Sequence, residues 1–193
     1  MNRERYLTMK NFKLGFTLAE VLITLGIIGV VAAIVMPTVM TSYQYSTIGV
    51  KLSKFHQQTE NAARAFAVLN DSITANNAAN FIQETYMSET GAQVTAGVET
   101  ELRDGTTLTA TVAEDAAGIN IPDGQSGIIT LQFNPEVNGL PAAHRNVNYT
   151  FVVTDLGFVV PAQGQNCLNN IKNNGYRVSR QQFTGGFQCV AAG

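Results

Sequence analysis

The sequence predicts an α+β chain in which a long, kinked N-terminal helix packs on a small antiparallel β-sheet head. Three observations predict it. An apolar run from Phe16 to Met36 carries one charge, Glu20, and is closed by Pro37. Beyond Pro37, apolar residues recur at steps of three and four as far as Leu69, the spacing of one helix face. From residue 98 onward, β-branched runs are separated by turn pairs such as Asp104-Gly105, the pattern of short hairpins. A helix covering one face of such a sheet is an α+β arrangement.

The leader comes first. Residues 1–15 hold Arg3, Arg5, Lys10 and Lys13 against Glu4, while the whole chain is at −2, so the remainder is mildly acidic. That balance argues against a broad basic face for nucleic acid, and no nucleic-acid partner is expected. Phe16–Met36 as a helix spans about 31 Å, close to the hydrocarbon thickness of a bilayer. The basic flank keeps the N-terminus inside and sends the rest outside. An ionisable residue within such a span costs about 2.5–3.5 kcal/mol on insertion scales, so Glu20 is a functional residue by default. Gly26 and Gly29 weaken the helix by about 1 kcal/mol each relative to alanine. Pro37 removes a backbone hydrogen bond and kinks the chain. These three mark a stretch able to unwind, and close helix packing in the membrane is the equal alternative for the glycines.

Past the span, Ile48, Leu52, Phe55, Ala62, Phe66 and Leu69 form a stripe, with Thr59 filling the gap. Glu60 and Arg64 stand at i,i+4, the spacing of a helical ion pair. His56 reads as a surface or edge histidine, and Tyr43 and Tyr45 as interface anchors. Asn70-Asp71-Ser72 ends the helix. Residues 73–97 read as a connecting region with a short helix or turn from Phe81 to Met87.

The head follows. Val98–Arg103 and Thr106–Val112 flank Asp104-Gly105. Gly127–Phe133 places Ile129, Leu131 and Phe133 on one face, with Ile128, Thr130 and Gln132 on the other. Tyr149–Thr154 and Phe158–Val160 flank Asp155-Leu156-Gly157. Asp123-Gly124 and Asn138-Gly139 read as turns. The last 30 residues, rich in asparagine and glycine, read as an irregular loop. If this end is exported, Cys167 and Cys189 form a disulfide, and in a reducing compartment they are two buried thiols.

Three leader readings compete: a signal peptide cut near Val31-Ala32-Ala33, an uncut signal anchor, and a leader removed at Gly15. Glu20 at the head of the apolar core argues against the first, and a plain anchor has no need of a Gly-Phe junction. Gly15-Phe16-Thr17-Leu18-Ala19-Glu20, followed by an apolar helix and Pro37, resembles the N-terminus of type IV pilins and pseudopilins. The resemblance covers residues 13–37 closely and extends loosely to about residue 70. A weaker likeness lies in Glu136–Pro141, Asn148–Phe151 and Gly157–Pro161, which resemble a C-terminal pattern of bacterial pilin-like proteins.

The resemblance implies cleavage by a prepilin peptidase between Gly15 and Phe16, N-methylation of Phe16, and an assembly role for Glu20. It implies a helix-kinking role for Pro37 and places the Cys167–Cys189 loop on the filament surface. The implied organisation is a leader over 1–15, a membrane or filament-core helix over 16–37, an amphipathic helix over 38–70, and a head over 71–193. Implied partners are the peptidase, copies of the chain or other pilins, an assembly platform, and membrane lipid before assembly. The implied role is a pilus subunit lodged first in the inner membrane. Alternatives are a pseudopilin of a type II secretion system and, from another class, a membrane-tethered enzyme or binding domain.

No catalytic constellation or cofactor motif is evident. His56 and His144 lie in no known catalytic context, and the cysteines lack zinc spacing. Calcium is the only metal worth weighing. Asp104, Glu114, Asp115, Asp123 and Glu136 offer oxygens without the spacing of a calcium loop, so no metal is expected.

Overall fold

The computed structural model describes residues 16–90, 94–184 and 189, apart from the side chains of 88–90. The chain divides into two compact units, Met1–Val39 and Met40–Gly193. Helix α1, Leu18–Leu69, contributes residues to both and holds Pro37 within it. After it come α2 (Ala78–Thr90), β1 (Glu99–Glu101), β2 (Thr107–Val112), β3 (Gly127–Asn134), α3 (Ala142–Arg145), β4 (Tyr149–Thr154), β5 (Val159–Pro161), α4 (Asn166–Asn173) and α5 (Gln181–Thr184). The strands form one sheet in the order β1-β2-β3-β4-β5, every pair antiparallel. A long helix followed by an antiparallel sheet is the α+β class that the patterning predicts.

In the second unit, most of the stripe predicted on α1 lies in the head's core, but Ala63 is buried where Ala62 was expected, Ala62 is only partly buried, and Leu69 is exposed. Tyr45, Ile48, Leu52, Phe55, Thr59, Ala63 and Phe66 are buried there at steps of three and four. Phe55 is the centre of an aromatic stack. Its ring lies 4.2 Å from that of Phe133 on β3 and is nearly parallel to it, and 5.5 Å from Phe151 on β4. Tyr86 of α2 stacks on its other side at 6.0 Å. Such aromatic pairs add about 0.5–1.5 kcal/mol each beyond the area they bury.

Helix α2 is longer than the short helix or turn read at 81–87. Ala78, Phe81, Ile82 and Tyr86 are fully buried, one helical face against the core. Asn77 fixes its start: its side chain accepts from the Thr74 amide at 2.8 Å and donates to the Ser72 carbonyl at 3.0 Å. Polar composition hid that face, because its small and aromatic core residues are spaced among asparagines.

Strand β3 buries Ile129, Leu131 and Phe133 as its alternation predicts, but Ile128 on the opposite face is buried too. Ile128 lies at a register shift between β3 and β4, and the connection 113–126 is bonded alongside it, with Ala113 donating to the Ile128 carbonyl. Ala116 donates to the Gly127 carbonyl, Ile119 to the Pro161 carbonyl, and Gln163 to the Ala117 carbonyl. Gly127 is required there, since a Cβ would meet the Ala116 carbonyl and the Val152 side chain.

Among the described residues of the C-terminal stretch, two helices, α4 and α5, stand where composition predicts an irregular loop. Leu168 and Ile171 are fully buried, so α4 is an amphipathic helix built on two residues at i,i+3. Asparagine is a poor helix former, and packing overrides it here. A disulfide joins Cys167 at the start of α4 to Cys189. His56, read as a surface or edge residue, is buried on α1. Tyr45 also lies inside the head, with its hydroxyl 2.6 Å from His144 Nδ1, whereas Tyr43 is exposed.

Candidate functional site

The candidate site is the N-terminal part of α1. Thr17 precedes the first helical residue and acts as its cap: its Oγ1 accepts the Glu20 amide at 3.2 Å, and its carbonyl accepts the Val21 amide. Free amides at a helix start need such partners. The spacing Thr17-x-x-Glu20 is that of a capping box, a signal the sequence reading passed over while attending to Glu20 as a charge. Glu20 thus has two local relations. Its backbone is tied to the cap, and its carboxylate sits in the first turn, where the helix dipole favours negative charge by about 0.3–1 kcal/mol at an exposed site.

Around Glu20 the surface is apolar. Phe16, Leu18, Val21, Leu22, Ile23, Leu25, Ile27 and Ile28 are all exposed, and the pattern runs on through Met40. An 18-residue window of this helix reaches a mean hydropathy of 2.6 with none of it buried, long and apolar enough to cross a membrane. A monomeric soluble protein rarely exposes a contiguous apolar patch beyond a few hundred Å², so this sleeve is a contact surface for lipid or protein. The Glu20 side chain is exposed, with no ion pair or hydrogen bond to its carboxylate among the described residues.

The hydroxyls in the sleeve are turned inward on the helix. Thr24 donates to the Val21 carbonyl at 2.9 Å and Thr38 to the Val35 carbonyl at 2.8 Å. Both satisfy their donors without water, as a lipid environment demands. Pro37 lies beside Thr38 and has no amide to give to the turn before it. Gly26 and Gly29 have nothing within 4 Å of where a Cβ would stand. Open space there leaves a shallow surface for a close neighbour.

Gly15, the residue predicted before the cut, lies outside the described residues, as does the leader. Phe16 is described and exposed. Phe16, Glu20, Gly26, Gly29 and Pro37 therefore belong to the first unit, while Cys167 and Cys189 belong to the second.

The oxygen ligands weighed for calcium are dispersed. Asp104 and Glu136 share an open cleft of about 450 Å³ with Glu101 and Lys51. Lys51 Nζ occupies that side of the cleft, donating to the Pro135 carbonyl at 2.8 Å. Burial pushes the Asp104 carboxyl up, but hydrogen bonds from Thr106 and the charges of Lys51 and Lys54 together outweigh it and hold it low. Among the described residues, no group of three or more histidine, cysteine or acidic side chains comes together as a metal site.

A family model described as the prokaryotic N-terminal methylation motif matches residues 10–36. Comparison with curated proteins and with solved structures finds no match. The matched span takes in Phe16, the Thr17 cap, Glu20, both helix glycines and the apolar sleeve. The chain therefore carries the N-terminal signal of type IV pilins and pseudopilins, on an α+β fold of pilin-like architecture.

Proposed function

We propose that this protein is a structural subunit of a type IV pilus-like filament. It is made as an inner-membrane precursor with its head outside. A prepilin peptidase cuts between Gly15 and Phe16 and methylates the new amine. An assembly platform then draws the subunit out of the bilayer into a polymer of this chain or of related pilins. The observation that carries the reading is the methylation motif lying on an exposed apolar helix with one carboxylate in its first turn.

The physical chemistry gives each residue its part. Cleavage exposes an ammonium group on Phe16, and methylation preserves its charge. Glu20 of an adjacent subunit neutralises it inside the polymer. Breaking a buried ion pair costs about 3–5 kcal/mol, so a subunit that docks out of register is penalised. Gly26, Gly29 and Pro37 allow the helix to unwind or pack closely as it leaves lipid. A pseudopilin driving protein export uses the same parts.

Co-expression with a prepilin peptidase, followed by intact-mass measurement, tests the reading. The expected product begins at Phe16 and carries the mass of one added methyl group. An intact leader on membrane-extracted protein overturns it. Glu20→Ala is expected to be cleaved normally but to enter filaments poorly. Undiminished filament yield would remove Glu20 from assembly.

A further inference from the structure

We propose that His56, the Val159 carbonyl and Lys172 form an acid-sensitive latch fastening the C-terminal segment 166–176 to the head portion of α1. Three elements meet at one oxygen. His56 Nε2 of α1 lies 2.9 Å from the Val159 carbonyl of β5. Lys172 Nζ, from α4, donates to the same oxygen at 3.1 Å. With its proton on Nε2, a neutral His56 donates the other bond.

The charges around the ring are few. Glu60, one turn along α1, has Oε2 3.5 Å from His56 Nε2. Glu60 also pairs with Arg64, whose guanidinium lies 4.4 Å from the centre of the Phe158 ring. From α4 comes Lys172. From the turn after α4 comes Tyr176, its ring 5.7 Å from that of His56, with a hydroxyl that has no partner among the described residues. Burial, and Glu60 after it, push that phenol up and keep it neutral. From β4 comes only the ring of Phe151, 5.9 Å away.

A proton added to this ring meets an unfavourable setting. The proton enters at Nδ1, so the bond from Nε2 to the Val159 carbonyl survives, but the charged ring then shares that one oxygen with the Lys172 ammonium, and the two cations repel. Burial first, and the Lys172 charge as well, hold His56 below the ordinary histidine value, against the Val159 carbonyl and Glu60, which raise it. The fold therefore favours the neutral ring. The stabilisation this gives is complete above the ordinary value of 6.5 and is lost as pH falls from there through the folded pKa.

What loosens is local. Cys167 keeps one end of α4 tethered to Cys189. At the other end, the Tyr176 carbonyl rests on α1 at Gly49, too close for any Cβ there. Acid drives Lys172 off the Val159 carbonyl, which loosens the end of α4 that leads to this second contact and leaves the disulfide in place.

Amide hydrogen exchange on the full chain in detergent micelles, corrected for intrinsic rates and run as a pH series, tests the latch. Protection of 166–176 is expected to fall as pH drops below 6.5 while β3 and β4 stay protected. The His56 ring resonances, followed by NMR, supply an independent readout. Lys172→Met is expected to move the His56 titration to higher pH, and Glu60→Gln to lower pH. His56→Gln should abolish the pH step. Should that variant fail to fold, the wild type and the two charge variants still decide. Protection of 166–176 that does not change with pH, or a shift of the same sign in both charge variants, overturns the proposal.

Discussion

Thr59 and Tyr86 meet inside the head, hydroxyl to hydroxyl at 2.7 Å, on the buried faces of α1 and α2. Burial pushes the Tyr86 phenol far up, and the Thr59 hydroxyl only partly offsets that. A hydrogen bond of this kind contributes about 0.5–1.5 kcal/mol net. Thr59→Val and Tyr86→Phe are therefore each expected to destabilise the head by about that amount, with the double variant costing less than the sum. Urea unfolding of the full chain in detergent measures all three. Additive costs would show that the two hydroxyls act independently. Thr59 was legible only as a gap in an apolar stripe, since its partner lies on a helix that the sequence presents as a connecting region. His56 was misread for a related reason. Its neighbours Val159 and Lys172 lie over a hundred residues further on, and nothing local to α1 announces them.

The β4–β5 turn meets α1 at a glycine. Gly157, in the turn between β4 and β5, has φ +81° and lies so near the backbone of Ala63 and Arg64 that a Cβ has no room. Gly124 shares the left-handed conformation at φ +78° but faces open space. Both alanine variants lose a compatible backbone, at a cost of more than about 0.4–1 kcal/mol. Gly157→Ala adds an overpacking cost of about 1–3 kcal/mol from forcing the β4–β5 turn off α1. Thermal unfolding should therefore rank Gly157→Ala well below Gly124→Ala, and equal melting temperatures would refute a close approach at that turn. The sequence announced the Asp155-Leu156-Gly157 turn, but not that α1 lies against it. It announced the strands in the same partial way. Alternation gave Ile129, Leu131 and Phe133 their face, while Ile128 lies at a register shift between β3 and β4 that no periodicity encodes. Helix α4 was hidden because its signal is two apolar residues among asparagines.

At the scale of the whole molecule, the chain keeps its two tasks in separate stretches. The span matched by the methylation motif falls within the first unit and was legible in the sequence, because such a motif is a run of neighbouring residues. The second unit was legible as a class and not as an arrangement, because its contacts join distant segments. A disulfide joins Cys167 to Cys189 across a sequence separation of 22. On chain-entropy grounds a loop of that size stabilises by about 3 kcal/mol. Cys167→Ser with Cys189→Ser is expected to lower the unfolding free energy by about that amount. Reductant should lower the wild type equally and leave the double variant unchanged. A double variant as stable as the oxidised wild type would remove the link from the energetics.

The stripe from Tyr45 to Phe66 is finished long before its cover. His144 follows Tyr45 by 99 residues, and Val159 follows His56 by 103. At about 5–20 residues per second, a growing chain leaves Ile48, Leu52 and Phe55 without their sheet for about 5–20 s. During that interval the stem is an amphipathic helix with a bare apolar side, joined to a span already suited to the bilayer. The head is thus a late-closing fold, whose core face on α1 stays uncovered until the last strands have been made.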